Sequence, residues 1–168
     1  MRDSDRLWAP WRGAYISQAR RRRRPCIFCV AARSRNDRHV RVVYRGKKAF
    51  ILLNNYPYNN GHVMVSPYRH VGSLSRLTAD EIAELFDLAS RAVETLQTVL
   101  HPQGFNLGIN LGRAAGAGIP GHLHLHVVPR WVGDTNFMWT IAGTKVISES
   151  LDALDARLRP LMARRRTR

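Results

Sequence analysis

His122-Leu123-His124-Leu125-His126-Val127-Val128 alternates imidazole and aliphatic side chains without a break. On a β-strand successive side chains point to opposite faces. The three imidazoles therefore share one face at intervals of about 6–7 Å, and Leu123, Leu125 and Val127 share the other. The stretch follows Gly112-Arg113-Ala114-Ala115-Gly116-Ala117-Gly118-Ile119-Pro120-Gly121, too rich in glycine to hold a helix and able to bring backbone N–H groups close to an anion. The residues alone leave three readings open. The imidazoles can be hydrogen-bonded structural groups; histidines two apart on a strand can ligate zinc; or one imidazole is a nucleophile served by its neighbours. Phosphate chemistry suits the third, because a neutral imidazole attacks phosphorus and leaves again from the phosphoramidate, splitting one hard transfer into two easier ones.

Working outward, Val40-Arg41-Val42-Val43-Tyr44 and Ala49-Phe50-Ile51-Leu52-Leu53 read as strands around a Gly46-Lys47-Lys48 turn. His62-Val63-Met64-Val65 is a third, entered through the turn-rich stretch from Asn54 to Gly61. Thr78-Ala79-Asp80-Glu81 is a capping box that opens a long helix, whose apolar face is predicted to be Ile82, Leu85, Phe86, Ala89, Val93, Leu96 and Leu100. His101-Pro102-Gln103-Gly104 ends it. Phe105 to Leu111 and His122 to Pro129 complete the strands, and a last helix from about Ser148 carries Leu151, Leu154, Leu158 and Leu161. The expected fold is α+β, an antiparallel sheet with a long helix packed on it and a C-terminal helix.

A chain of 168 residues suits one domain with tails. The expected division is an aromatic and arginine-rich segment over 1–24 (with Trp8, Trp11 and Tyr15), a folded domain over 25–163 and a basic tail over 164–168. The longest aliphatic runs fall far short of the roughly 18 apolar residues of a membrane span. Met1-Arg2-Asp3-Ser4-Asp5 has no apolar region behind it, so a secretory signal is not expected and a cytoplasmic location is. The formal charge of +15 points to an acidic partner, although nine of the cations are arginines in two end clusters, Arg20–Arg24 and Arg164, Arg165, Arg166 and Arg168. Such clusters can grip a nucleic-acid backbone, but solubility or nonspecific adhesion is the preferred reading. The two cysteines, Cys26 and Cys29, are too few for a disulfide scaffold. Buried thiols, a redox pair and a metal site all remain open for them.

The His-φ-His-φ-His-φ-φ stretch resembles the signature of the histidine triad superfamily of nucleotide hydrolases and transferases. Asn54 to Pro67 is similar to the family's ribose-side strand pair, and the helix from Thr78 stands where the family has its main helix. Leu7-Trp8-Ala9-Pro10-Trp11-Arg12, Cys26-Ile27-Phe28-Cys29 and Trp131-Val132-Gly133-Asp134-Thr135-Asn136-Phe137-Met138 resemble the bacterial branch described as diadenosine tetraphosphate phosphorylases. The resemblance covers about residues 7–150.

By that resemblance His124 is the nucleophile that takes the α-phosphate as a nucleotidyl-histidine, and His126 contacts phosphate and leaving group. Asn54 binds the ribose hydroxyls, Asn110 steadies the phosphate region, His62 supports the row from behind, and the loop containing Gly112, Gly116 and Gly118 cradles phosphate. Many relatives carry Gln, Ser or Thr just before the first histidine, where this chain has Gly118 to Gly121, so no loop side chain is assigned to protonate the leaving group. Trp131 stands where it can line the substrate pocket or simply pack, and Phe50, Leu52 and Leu53 where they can line the base. The resemblance also implies a structural zinc held by Cys26, Cys29, His70 and His122, a closed Cys₂His₂ set, and a homodimer. The expected activity is cleavage of dinucleoside polyphosphates with inorganic phosphate as acceptor. Hydrolysis of the same substrates or of nucleoside phosphoramidates is the enzymatic alternative, and a basic nucleic-acid-binding protein is the alternative of a different class. His39 and His101 match no family position and are expected at the surface.

Overall fold

Five strands, β1 (Val42–Arg45), β2 (Ala49–Leu53), β3 (Val63–Pro67), β4 (Gly104–Ile109) and β5 (Leu125–Arg130), form one sheet in the order β1-β2-β3-β5-β4. Every neighbouring pair is antiparallel. Among the described residues three α-helices accompany it: α1 (Ile27–Arg33), α2 (Ala79–Leu100) and α3 (Leu151–Met162). The computed structural model describes residues 25–135 and 146–164. The expected features of residues 1–24, 136–145 and 165–168, including Trp8, Trp11, Tyr15, Phe137 and Met138, lie outside the described residues. None of the described helices is long and apolar enough to cross a membrane.

The two faces of the sheet have different covers. On one, α2 and α3 bury Val43, Ile51, Leu53, Val65, Leu123, Leu125 and Val127 against Leu85, Leu96, Leu154 and Leu158. On the other, α1 contributes Phe28 and Ala31 to a second cluster with Val42, Phe50, Leu52 and Met64. The alternation of β2 divides Phe50 and Leu52 from Leu53, so Leu53 packs under the helices and is not on the face of the imidazoles. Phe50 is itself fully buried.

The capping box forms as expected: Thr78 Oγ1 accepts from the Glu81 N–H while the Glu81 carboxylate accepts from the Thr78 N–H. Arg69 chelates the same carboxylate, and that guanidinium holds the Glu81 carboxyl down at about 2. The apolar face of α2 is rotated from the predicted one. Leu88, Ala92 and Val99 join Leu85, Ala89 and Leu96 in the core, whereas Ile82 and Phe86 stand exposed. Strand boundaries shift too. Arg41 has φ 57° and a bulge separates Val42 from Tyr44, so β1 starts later than predicted. Ser150, through its bond from the Ala153 N–H, starts α3 two residues beyond the expected point.

α1 was not foreshadowed by periodicity. It has seven residues, and its N-cap Cys26 makes no side-chain capping bond. Tertiary contacts hold it: Arg45 donates to the carbonyls of Ala31, Ala32 and Ser34 at its C-terminal end and to Asp37 beyond. The observed helix face gives a direct test in urea denaturation. Leu96→Ala should cost about 2–5 kcal/mol, the range for emptying a core leucine site, while Phe86→Ala should change stability by no more than about 0.5 kcal/mol.

Candidate active site

The three imidazoles of the row lie on the face of the sheet that α1 covers, but only His126 lies within the β5 ladder. His122 and His124 precede it in extended chain held by other bonds. The Leu123 N–H donates to the Val71 carbonyl at 2.7 Å, and Ser66 Oγ donates to the Leu123 carbonyl at 3.0 Å. The His124 and His126 rings meet edge-on with centroids 4.8 Å apart. Phe28 of α1 stacks on His124 at 4.6 Å and leans on His122 at 5.1 Å. All three imidazoles are buried.

Hydrogen-bond partners that can act in only one sense fix the tautomers. The Pro67 carbonyl lies 2.9 Å from His122 Nε2 and can only accept, so that nitrogen carries the proton and Nδ1 presents a lone pair. The His122 carbonyl lies 2.8 Å from His124 Nδ1, so Nδ1 donates and His124 Nε2 keeps its lone pair. The Tyr58 N–H donates to His62 Nδ1 at 3.0 Å. His62 Nε2–H therefore donates to His126 Nδ1 at 2.9 Å, and His126 Nε2 must carry a proton. That Nε2 is buried and has no hydrogen-bond partner among the described residues. A lone pair on His124 and an unused donor on His126 thus stand side by side. Burial keeps the set neutral: it pushes His62 down to about 3 and His126 to about 4, and it lowers His124 as well.

His122 Nδ1 belongs to a second constellation. Cys26 Sγ is 3.3 Å from it, Cys29 Sγ 3.5 Å and His70 Nδ1 3.2 Å, while Cys29 Sγ is 3.2 Å from His70 Nδ1. All four donor atoms lie within 4.8 Å of one another. A zinc tetrahedron with Zn–N of about 2.0–2.1 Å and Zn–S of about 2.3 Å has edges of about 3.3–3.8 Å, so the donor set matches a closed zinc site in type, number and spacing. The His122 Nε2–H to carbonyl bond is also the support that orients a ligating imidazole. Glycines make the approach possible. A Cβ on Gly72 would sit 2.7 Å from the Pro120 carbonyl oxygen, and one on Gly121 would sit 3.3 Å from His70 Nε2.

The remaining expected residues fall around this core. Asn54 joins the relay from the side, its Nδ2 3.3 Å from His62 Nδ1 and its Oδ1 accepting from the Tyr56 N–H. Asn110 is half-buried one residue past the Ile109–Leu125 pair, level with His124. Gly112 and Gly116 take positive φ on exposed turns, and Gly118 is exposed beside them. Trp131 is half-buried just beyond β5, its N–H donating to Asp134. His39 and His101 are exposed. Phe28 and Tyr58 were missed as members of the site. A phenylalanine between two cysteines and a tyrosine in a turn carry no signal of chemistry on their own.

A family model described as the HIT domain matches residues 35–132, more than half of the chain. The AP-4-A phosphorylase of Mycobacterium tuberculosis is 45% identical over 152 residues, covering 87% of this chain and 78% of that protein. Among solved structures, a hypothetical histidine triad nucleotide-binding protein from Sulfolobus tokodaii superposes with a TM-score of 0.65 at 26% identity, over 82% of this chain and 91% of that one. A Zn-bound histidine triad family protein from Mycobacterium smegmatis does so with a TM-score of 0.64 at 26% identity, over 82% and 93%.

The depressed imidazoles tie stability to pH. As pH falls below 6.5 the unfolded histidines take up protons that folded His62 and His126 refuse until about 3 and 4, so the folded state loses up to about 1.4 kcal/mol per pH unit for each group in that window. Denaturation curves between pH 6.5 and 4.5 should show a shallower loss in His62→Gln than in the parent chain. Running both proteins in the same buffers cancels protonation at the cysteine cluster.

Proposed function

The chain belongs to the HIT domain family, and from that premise we propose that it is an enzyme that cleaves dinucleoside polyphosphates of the diadenosine tetraphosphate type through a nucleotidyl-His124 intermediate resolved by inorganic phosphate. The observation that carries the reading is the pairing of a nucleophilic lone pair on His124 Nε2 with the unpartnered donor on His126 Nε2. In the first step the His124 lone pair forms the Nε2–P bond, and the bond from the α-phosphorus to the bridging oxygen breaks. The leaving nucleoside triphosphate takes that electron pair. The imidazole gains positive character, which the His122 carbonyl offsets through its bond from Nδ1–H. The His126 N–H donates to phosphate oxygen as charge builds there. In the second step an oxygen of inorganic phosphate attacks the same phosphorus, the P–N bond breaks towards nitrogen, and His124 returns neutral as the nucleoside diphosphate leaves.

In this reading Asn54 binds the ribose, Asn110 and the loop carrying Gly112, Gly116 and Gly118 steady the phosphates, and Trp131 lines the pocket. Cys26, Cys29, His70 and His122 hold zinc, which supplies a fixed anchor for the segment that presents His124. The folded domain is 25–163, its location cytoplasmic and its assembly a homodimer. Support for the dimer comes from β4, the edge of the sheet among the described residues, with Leu107 on it and Leu111 just beyond it both exposed.

Incubation with diadenosine tetraphosphate, with and without inorganic phosphate, followed by nucleotide separation tests the reaction. ADP and ATP should appear only when phosphate is present; AMP and ATP irrespective of phosphate would replace phosphorolysis by hydrolysis. His124→Ala should lose about 10³-fold or more in kcat with an unchanged circular dichroism spectrum. Elemental analysis should find close to one zinc per chain, and a chelator strong enough to remove it should lower the Tm.

A further inference from the structure

Past His126 the face that bears the imidazoles continues along β5 through Val128 and Arg130, and there it opens into a cleft of about 550 Å³. Its walls include Tyr58, Asn59, Asn106, Val128 and Arg130. Val128 lies four residues from His124, about 13 Å along a strand, beyond the reach of the attacked phosphate group itself. The chemistry above makes no use of this cleft, yet it is built. Arg130 donates to Asn106 Oδ1 at 2.7 Å and to Asp134 Oδ1 at 2.9 Å. The buried Asn59 donates to Asp134 Oδ2 at 2.8 Å and to the Pro129 carbonyl at 3.0 Å. This network sets the polar wall in advance and leaves the guanidinium half-exposed at 47%. Opposite stands Tyr58, 53% exposed, stacked over His126 with centroids 5.5 Å apart.

We infer that this cleft receives the far nucleoside of the departing nucleoside triphosphate, with its base on the ring of Tyr58 and its phosphates passing the Arg130 guanidinium. The inference rests on the proposed reaction and deepens it. The row of β5 gives the order: attacked phosphorus at His124, leaving-group contact at His126, then the cleft. A volume of this size falls in the range of small-ligand sites, and an exposed aromatic face stacks on any base. The cleft therefore discriminates dinucleoside from mononucleoside polyphosphates more strongly than one base from another.

The test compares kcat/KM for diadenosine tetraphosphate with that for adenosine 5′-tetraphosphate, which has the same phosphates and lacks the far nucleoside. The parent protein should prefer the dinucleoside by roughly 5- to 100-fold, the range expected from one stacked base. Asn106→Trp, which fills the cleft from β4, should bring the ratio close to one; the ratio is the readout because Asn106 also holds Arg130, whose guanidinium faces phosphates common to both substrates. Tyr58→Leu should lower the same ratio, which cancels any disturbance of His126 common to both substrates. Equal efficiencies in the parent protein, or a ratio unmoved by both variants, overturn the cleft assignment and leave the proposed reaction standing. Failure of the parent protein to cleave either compound overturns both.

Discussion

One residue, His122, faces three ways, and the rest of the site depends on it. Its Nε2–H is spent on the Pro67 carbonyl, its Nδ1 lies among Cys26, Cys29 and His70, and its backbone oxygen takes the proton of His124 Nδ1. The first bond fixes which nitrogen can ligate. The third leaves the lone pair of His124 on Nε2. A thiol cluster and the proposed nucleophile, His124, are thereby joined through a single peptide unit, and Phe28, carried between the two cysteines, packs against both imidazoles.

The sheet separates its tasks by face. Under α2 and α3 it is an aliphatic core, and its other face carries α1, the imidazole relay and the cleft beyond it. Period-two alternation in the strand segments makes this possible, because Leu123, Leu125 and Val127 anchor in the core while their neighbours are free for chemistry. The cost of burying so many imidazoles is offset by giving nearly every ring nitrogen a partner. His124 Nε2 and His126 Nε2 are the exceptions among the described residues, and they are the two atoms that the proposed reaction assigns to substrate.

Much of this was legible in the sequence because it is written in local pattern. The histidine alternation, the capping box at Thr78 and the five strands depend on spacing within a few residues, and each is found close to its expected place. The four donors of the cluster were named through family resemblance, and the structure brings them together. Three things were not legible. α1 is held by Arg45 and by Phe28 packing, both tertiary. The buried face of α2 is set by its packing on β2, β3 and β5 together with α3, so Ile82 and Phe86 fit the helical spacing yet remain outside. Gly121 reads as part of a phosphate loop, whereas its lack of a side chain also makes room for His70. Each depends on a partner distant in the chain, and periodicity carries no information about it.

The spacing of the cluster has a further consequence for local unfolding. Cys29 and His70 are 41 residues apart, and His70 and His122 are 52 apart. A metal bound across them closes two long loops in succession and removes many conformations from the open chain. β1 to β4 and α2 lie within those loops, while α3 lies beyond the last of them. The C-terminal helix would lie outside the reach of such a staple and depends for its place on its own packing, through Leu154, Leu158 and Met162 in the core.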